Sequence, residues 1–183
     1  DANGTTTPAV VNSVTIEQQG PLRAIVRLTG TAMGGKLDVN ARLHFFAGLP
    51  VVRVSTTLTN PNRATHKGGF WDLGDEGSVL LKELSLVVPL SETEEQPRMS
   101  VGPDEPWIQS TSPLEIYPDS SGGEYWASTN HLNRDRRIPT TFRGYRVRAG
   151  SEERAGLRAT PVVAVGDVAV AIPEFWQNFP RAL

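Results

Sequence analysis

Between positions 10 and 60 apolar and polar residues alternate with a period of two. Leu37, Val39, Ala41, Leu43 and Phe45 interleave with Asp38, Asn40, Arg42 and His44. In an extended strand that spacing puts one set on each face of a sheet. Val52, Val54, Thr56 and Leu58 share a face within 51–60, and 10–17 and 22–29 are rich in β-branched and aliphatic residues. Turn chemistry separates these runs at Gln18-Gln19-Gly20-Pro21, Met33-Gly34-Gly35 and Ala47-Gly48-Leu49-Pro50. The pattern predicts an antiparallel meander of four strands.

Beyond position 77 the signals become shorter. Residues 78–90 are a long apolar run ended by Pro89, which predicts a central strand. Residues 91–106, acidic and proline-bearing without periodicity, predict an exposed excursion. Strands are expected at 107–111, 114–117 and 124–129, with a flexible turn at 119–123 and a polar loop at 131–137. Residues 140–148 and 152–160 alternate again. Residues 162–172 place two apolar runs around Gly166-Asp167, the signature of a hairpin with glycine first in its turn. Helical periodicity over about ten residues is almost absent. The expected fold is all-β, an antiparallel β-sandwich with few or no helices, in one domain spanning 1–183. The chain opens without an initiator Met and closes on Phe179-Pro180-Arg181-Ala182-Leu183, so a fragment of a longer multidomain protein is expected.

Composition narrows the function classes. The chain has 183 residues, 18 Lys plus Arg against 20 Asp plus Glu, and no cysteine. A net charge of −2 argues against a dedicated nucleic-acid binder, and the missing thiols exclude disulfides and thiolate metal sites. No apolar run reaches the roughly 18 residues that a membrane-spanning helix requires. Phosphate-loop, dinucleotide-binding, nucleophile-elbow and zinc-helix motifs do not occur.

Two stretches concentrate polar chemistry. Residues 66–77 hold four glycines, Phe70, Trp71, the His66–Lys67 pair and the acids Asp72, Asp75 and Glu76. His66 and Lys67 titrate or donate readily and suit a base or an anion holder; a solvated loop pair is the plainer alternative. The three acids supply oxygens suited to Ca²⁺, but their spacing matches no established calcium loop, so no cofactor is expected. The second stretch, 130–137, carries His131, Arg134, Arg136 and Arg137, and Arg143, Arg146 and Arg148 follow on a predicted strand with Tyr145. Guanidinium forks take carboxylates bidentately, as a uronic acid would require. The alternative is a set of surface ion pairs with the acidic 91–105 excursion. Of the four tryptophans and three tyrosines, most are expected in the core and one or two against a ligand.

Four stretches give the chain a resemblance. Gly20-Pro21-Leu22-Arg23-Ala24-Ile25-Val26-Arg27, residues 43–54, the Gly69–Gly77 loop and Glu174-Phe175-Trp176-Gln177-Asn178-Phe179-Pro180 resemble the exo-rhamnogalacturonan lyase family. The loop and the last stretch are the specific ones. The resemblance implies the front of the family's central domain, a galactose-mutarotase-like supersandwich, with the N-terminal barrel and C-terminal toroid as missing intramolecular partners. It further implies secretion, an acidic polysaccharide as substrate, and β-elimination at galacturonate. Under it, His66, His131 or Tyr145 serve as base or acid, Lys67, Arg134, Arg136 and Arg137 hold the carboxylate, and Trp71 is a sugar platform. The alternative is a non-catalytic carbohydrate-binding or structural sandwich.

Overall fold

The computed structural model describes residues 6–63, 77–90, 95–129, 136–179 and 182–183. The architecture is all-β, and every strand pairing is antiparallel. Two compact units divide the chain, residues 1–86 and 87–183.

The first unit is a four-stranded meander in the order β1 (Val10–Gln19), β2 (Arg23–Ala32), β3 (Leu37–Phe46) and β4 (Val52–Thr59). Its register joins Ile16, Val26, Leu43 and Val54 across the sheet, then Val14, Leu28, Ala41 and Thr56. One face is therefore apolar, as the alternation requires. Its residues Val14, Ile16, Phe45, Val52 and Val54 remain 42–65% exposed. On the other face, a bulge between Ile16 and Gln18 frees Glu17 from the ladder. The Glu17 carboxylate accepts from Arg42 Nε at 2.6 Å and Nη2 at 2.8 Å. That bond to Arg42 holds the Glu17 carboxyl below its ordinary pKa.

The second unit is a sandwich of two sheets. One runs β11 (Val168–Ala171), β10 (Val162–Val165), β5 (Arg98–Ser100), β6 (Ile108–Gln109), and the other β7 (Leu114–Pro118), β8 (Tyr145–Ala149), β9 (Glu152–Gly156). Met99 from the first sheet and Ile116 and Val147 from the second meet Ala159 and Phe175 in a buried cluster. Phe175 is the largest fully buried side chain. Leu183 exchanges both backbone hydrogen bonds with Ile116, at 2.9 and 3.2 Å, adding a rung to the free edge of β7. The predicted hairpin forms as expected, with Val165 opposite Val168 and Gly166 at φ +54°.

Four expectations are corrected. Residues 78–90 form no strand; Leu80, Leu81, Leu84, Leu86, Val87, Val88 and Leu90 are 41–79% exposed. An apolar run becomes a strand only beside a partner ladder, and no described strand pairs with it. Residues 91–106 are not wholly an excursion, because β5 lies inside a sheet and Met99 is fully buried. Three residues are too few to display a period. Residues 124–129 turn rather than extend, with Ser128 N donating to Tyr125 O at 3.1 Å. Residues 119–123 are anchored, since Asp119 and Ser120 are buried.

Packing in the two units predicts unequal costs. Phe175→Ala should lower stability by about 3–5 kcal/mol, the range for deleting a buried aromatic. Ile16→Thr, on the open face, should stay within about 0.5 kcal/mol. Denaturant midpoints of both variants of the full chain check this; equal losses would contradict it.

Candidate functional site

A buried polar turn at the end of β7 organises the polar surface of the second unit. Asp119 N donates to Gly144 O at 3.0 Å, continuing the β7–β8 ladder by one rung. The Asp119 carboxylate accepts from Thr141 N, from Thr141 Oγ1 at 3.0 Å and from Phe142 N at 2.9 Å on one oxygen. Its other oxygen accepts from the Tyr117 hydroxyl at 3.3 Å. Ser120 Oγ accepts from Gly144 N at 2.8 Å and Gly122 N at 3.4 Å. A buried carboxylate is tolerated only when its lone pairs are satisfied, and this one has four donors.

Glycine is required where the turn meets its neighbours. Gly122 at φ +68° and Gly144 at φ +77° occupy the left-handed region, and a Cβ on either would collide with the backbone of residues 156–157. The close approach brings Arg143 and Arg158 to consecutive carbonyls. Arg143 Nε donates to Gly122 O at 3.0 Å and Arg158 Nε to Ser121 O at 3.5 Å. The Arg158 guanidinium also lies 4.3 Å from the centroid of the Trp176 ring.

The remaining arginines of this unit are mostly engaged. Arg146 Nη1 is 3.2 Å from Glu153, and its guanidinium covers Phe142 at 4.2 Å. Arg148 reaches Glu153 at 3.3 Å and Glu115 at 3.8 Å. Arg146 and Arg148 thus make their ion pairs across the β7–β8–β9 sheet, where facing strands hold the side chains in reach. Arg98 stacks 5.2 Å from the Trp107 centroid; Trp107 is 51% and Tyr125 77% exposed.

Of the predicted site residues, His66, Lys67, Trp71, His131 and Arg134 lie outside the described residues, as do Asp72, Asp75 and Glu76. Arg136 and Arg137 are exposed, and Arg136 takes φ +55°. Tyr145 is half-buried against the core, its ring over Gly156 on the facing strand. Burial, then the charge of Glu105, pushes its phenol above the ordinary value. At neutral pH the phenol therefore keeps its proton. Sequence reasoning passed over Asp119, Ser120 and Gly144. Their signal was a short polar pair closing a β-rich run, which reads the same as any exposed turn. Among the described residues no three His, Asp or Glu side chains group as metal ligands, and no helix is long and apolar enough to cross a membrane. Comparison with protein-family models, curated proteins and solved structures finds no match for this chain.

The phenols predict an alkaline response. Tyr117 is raised by burial, then by the charge and hydrogen bond of Asp119; Tyr145 is raised by burial and Glu105. Above the ordinary phenol pKa of about 10 the unfolded chain ionises while the folded chain resists, so their stabilising contribution is complete below pH 10 and falls above it. Unfolding midpoints measured across that range should drop less in Tyr117→Phe and Tyr145→Phe. An unchanged alkaline slope in both would contradict the assignment.

Proposed function

We propose that this chain is part of a pectin-degrading lyase that cleaves rhamnogalacturonan by β-elimination at galacturonate. The reading rests on the resemblance of four stretches to exo-rhamnogalacturonan lyases. Two of them, 20–27 and 43–54, contribute the paired strands β2, β3 and β4. A third, 174–180, sends Phe175 into the core and lays Trp176 against Arg158. The all-β architecture agrees with the supersandwich that the resemblance implies.

In the proposed reaction a base removes the C5 proton of galacturonate. The electron pair forms the C4–C5 double bond as the C4–O4 bond breaks, and the departing oxygen takes a proton. Neutralising the adjacent carboxylate makes C5 more acidic, which is the work of arginine or lysine. In this reading His66 or His131 is the base, with Tyr145 as a proton donor. Lys67, Arg134, Arg136 and Arg137 hold the carboxylate, and Trp71 carries a sugar ring. An acidic polymer of this size is met outside the cell, so secretion belongs to the same proposal.

A second reading, a non-catalytic carbohydrate-binding or structural sandwich, is favoured by one observation. Arg146 and Arg148 are paired with Glu153 and Glu115, and Tyr145 packs over Gly156. Those described members of the predicted cluster support the sheet.

Ultraviolet detection of unsaturated uronate on rhamnogalacturonan oligosaccharides separates the readings. Product from the longer parent polypeptide, lost in His66→Ala or His131→Ala, is the expected result. Oligosaccharide binding with no product from either the parent or this chain would replace it with the second reading.

A further inference from the structure

Two guanidinium groups of the second unit are held in place without a carboxylate. Arg143 and Arg158 each use Nε on a backbone carbonyl, and the two carbonyls belong to adjacent residues, Gly122 and Ser121. Among the described residues neither arginine has an acidic partner, whereas Arg42, Arg146, Arg148 and Arg154 all do. Both are exposed. Anchoring through Nε leaves the two terminal nitrogens of each fork to donate outward, the edge that meets a carboxylate in bidentate fashion. The anchors are themselves held, since Ser120 and Asp119 bind the turn and Gly122 lies close against the backbone of Leu157. Stacking on Trp176 further limits the Arg158 head, and that indole offers an apolar surface beside the charge.

We propose that Arg143 and Arg158, with Trp176, form a clamp for the carboxylate of a uronic acid, the guanidinium forks taking the anion and the indole the sugar ring. The identity of the sugar rests on the pectic reading above, while the anion site rests on the arginines alone. The combination of a fork and a flat ring distinguishes a uronate from a free anion, because inorganic phosphate has no apolar face to place on Trp176. Arg146, the other arginine of this stretch with Arg148, is already occupied by Glu153.

Calorimetric titration of the full chain with trigalacturonic acid, neutral galactotriose and inorganic phosphate tests the clamp. Trigalacturonate should bind best and weaken with added salt. Arg143→Gln and Arg158→Gln should each weaken it at least about tenfold, the loss expected for a charge-assisted bidentate contact. Arg158→Lys, which keeps the charge without the fork, should also bind more weakly and guards against misfolding of the Gln variant. Arg148→Gln, whose fork is already engaged by Glu153 and Glu115, should not change binding. Equal binding of the neutral trimer, tighter binding of phosphate than of trigalacturonate, or folded Gln variants that bind as the parent sequence does, would overturn the clamp. The two proposals fail separately. A longer parent polypeptide that makes unsaturated uronate with an unchanged KM in Arg143→Gln and Arg158→Gln refutes the clamp alone. Acid-selective binding that those variants abolish, in a parent that yields no product, refutes the lyase reading alone.

Discussion

The carboxylate of Asp119 is the contact on which the surface of the second unit depends. It ties the end of β7 to the segment leading into β8 through two backbone amides and the Thr141 hydroxyl, and accepts a fourth bond from Tyr117 of β7 itself. Ser120 completes the arrangement by holding Gly144 and Gly122. Together with the Asp119 N–Gly144 O rung, these bonds fix where Arg143 leaves the backbone. Burying a charge is costly, and the cost is offset only because every neighbouring donor points at it. The same requirement excludes side chains at Gly122 and Gly144, where the turn presses on Leu157.

This gives a physical ranking of the charged groups. Exposed pairs such as Arg148 with Glu153 and Glu115 add little to stability, each on the order of 0–1 kcal/mol. Their value is to fix strand register and to occupy arginines that would otherwise attract anions. Arg143 and Arg158 differ because their anchor is a neutral carbonyl. A carbonyl orients the guanidinium and leaves its charge uncompensated, which is what recognition of an acidic sugar requires. The tryptophan that flanks them comes from the 174–180 stretch, so one short segment serves both the core, through Phe175, and the surface, through Trp176.

The four-stranded meander of the first unit was legible in the sequence almost residue by residue. Alternation from Leu37 to Phe45 and from Val52 to Leu58 fixes the faces, and turn residues at Gly20-Pro21 and Gly34-Gly35 limit the register. The 162–172 hairpin was legible for the same local reason. What failed was non-local. Residues 78–90 look like a buried strand because apolarity reports a preference for burial and cannot report whether a partner exists. Met99 was missed because β5 acquires its identity from β10 and β6, not from its own three residues. Asp119 looked like part of a flexible turn, since three of its four donors lie more than twenty positions away. Among the candidate site residues, Tyr145 was placed correctly on a strand, yet its environment, burial plus Glu105, depends on a loop that sequence alone did not bring near it.

Backbone amide exchange at Thr141, Phe142 and Gly144 tests the central claim most directly. If Asp119 and Ser120 hold this segment, those three amides exchange as slowly as the strand amides of β8, and that protection is lost at Thr141 and Phe142 in Asp119→Ala and at Gly144 in Ser120→Ala. Exchange as fast as in the exposed turn at Tyr125, or protection that survives these substitutions, would show that the polar turn does not organise the site.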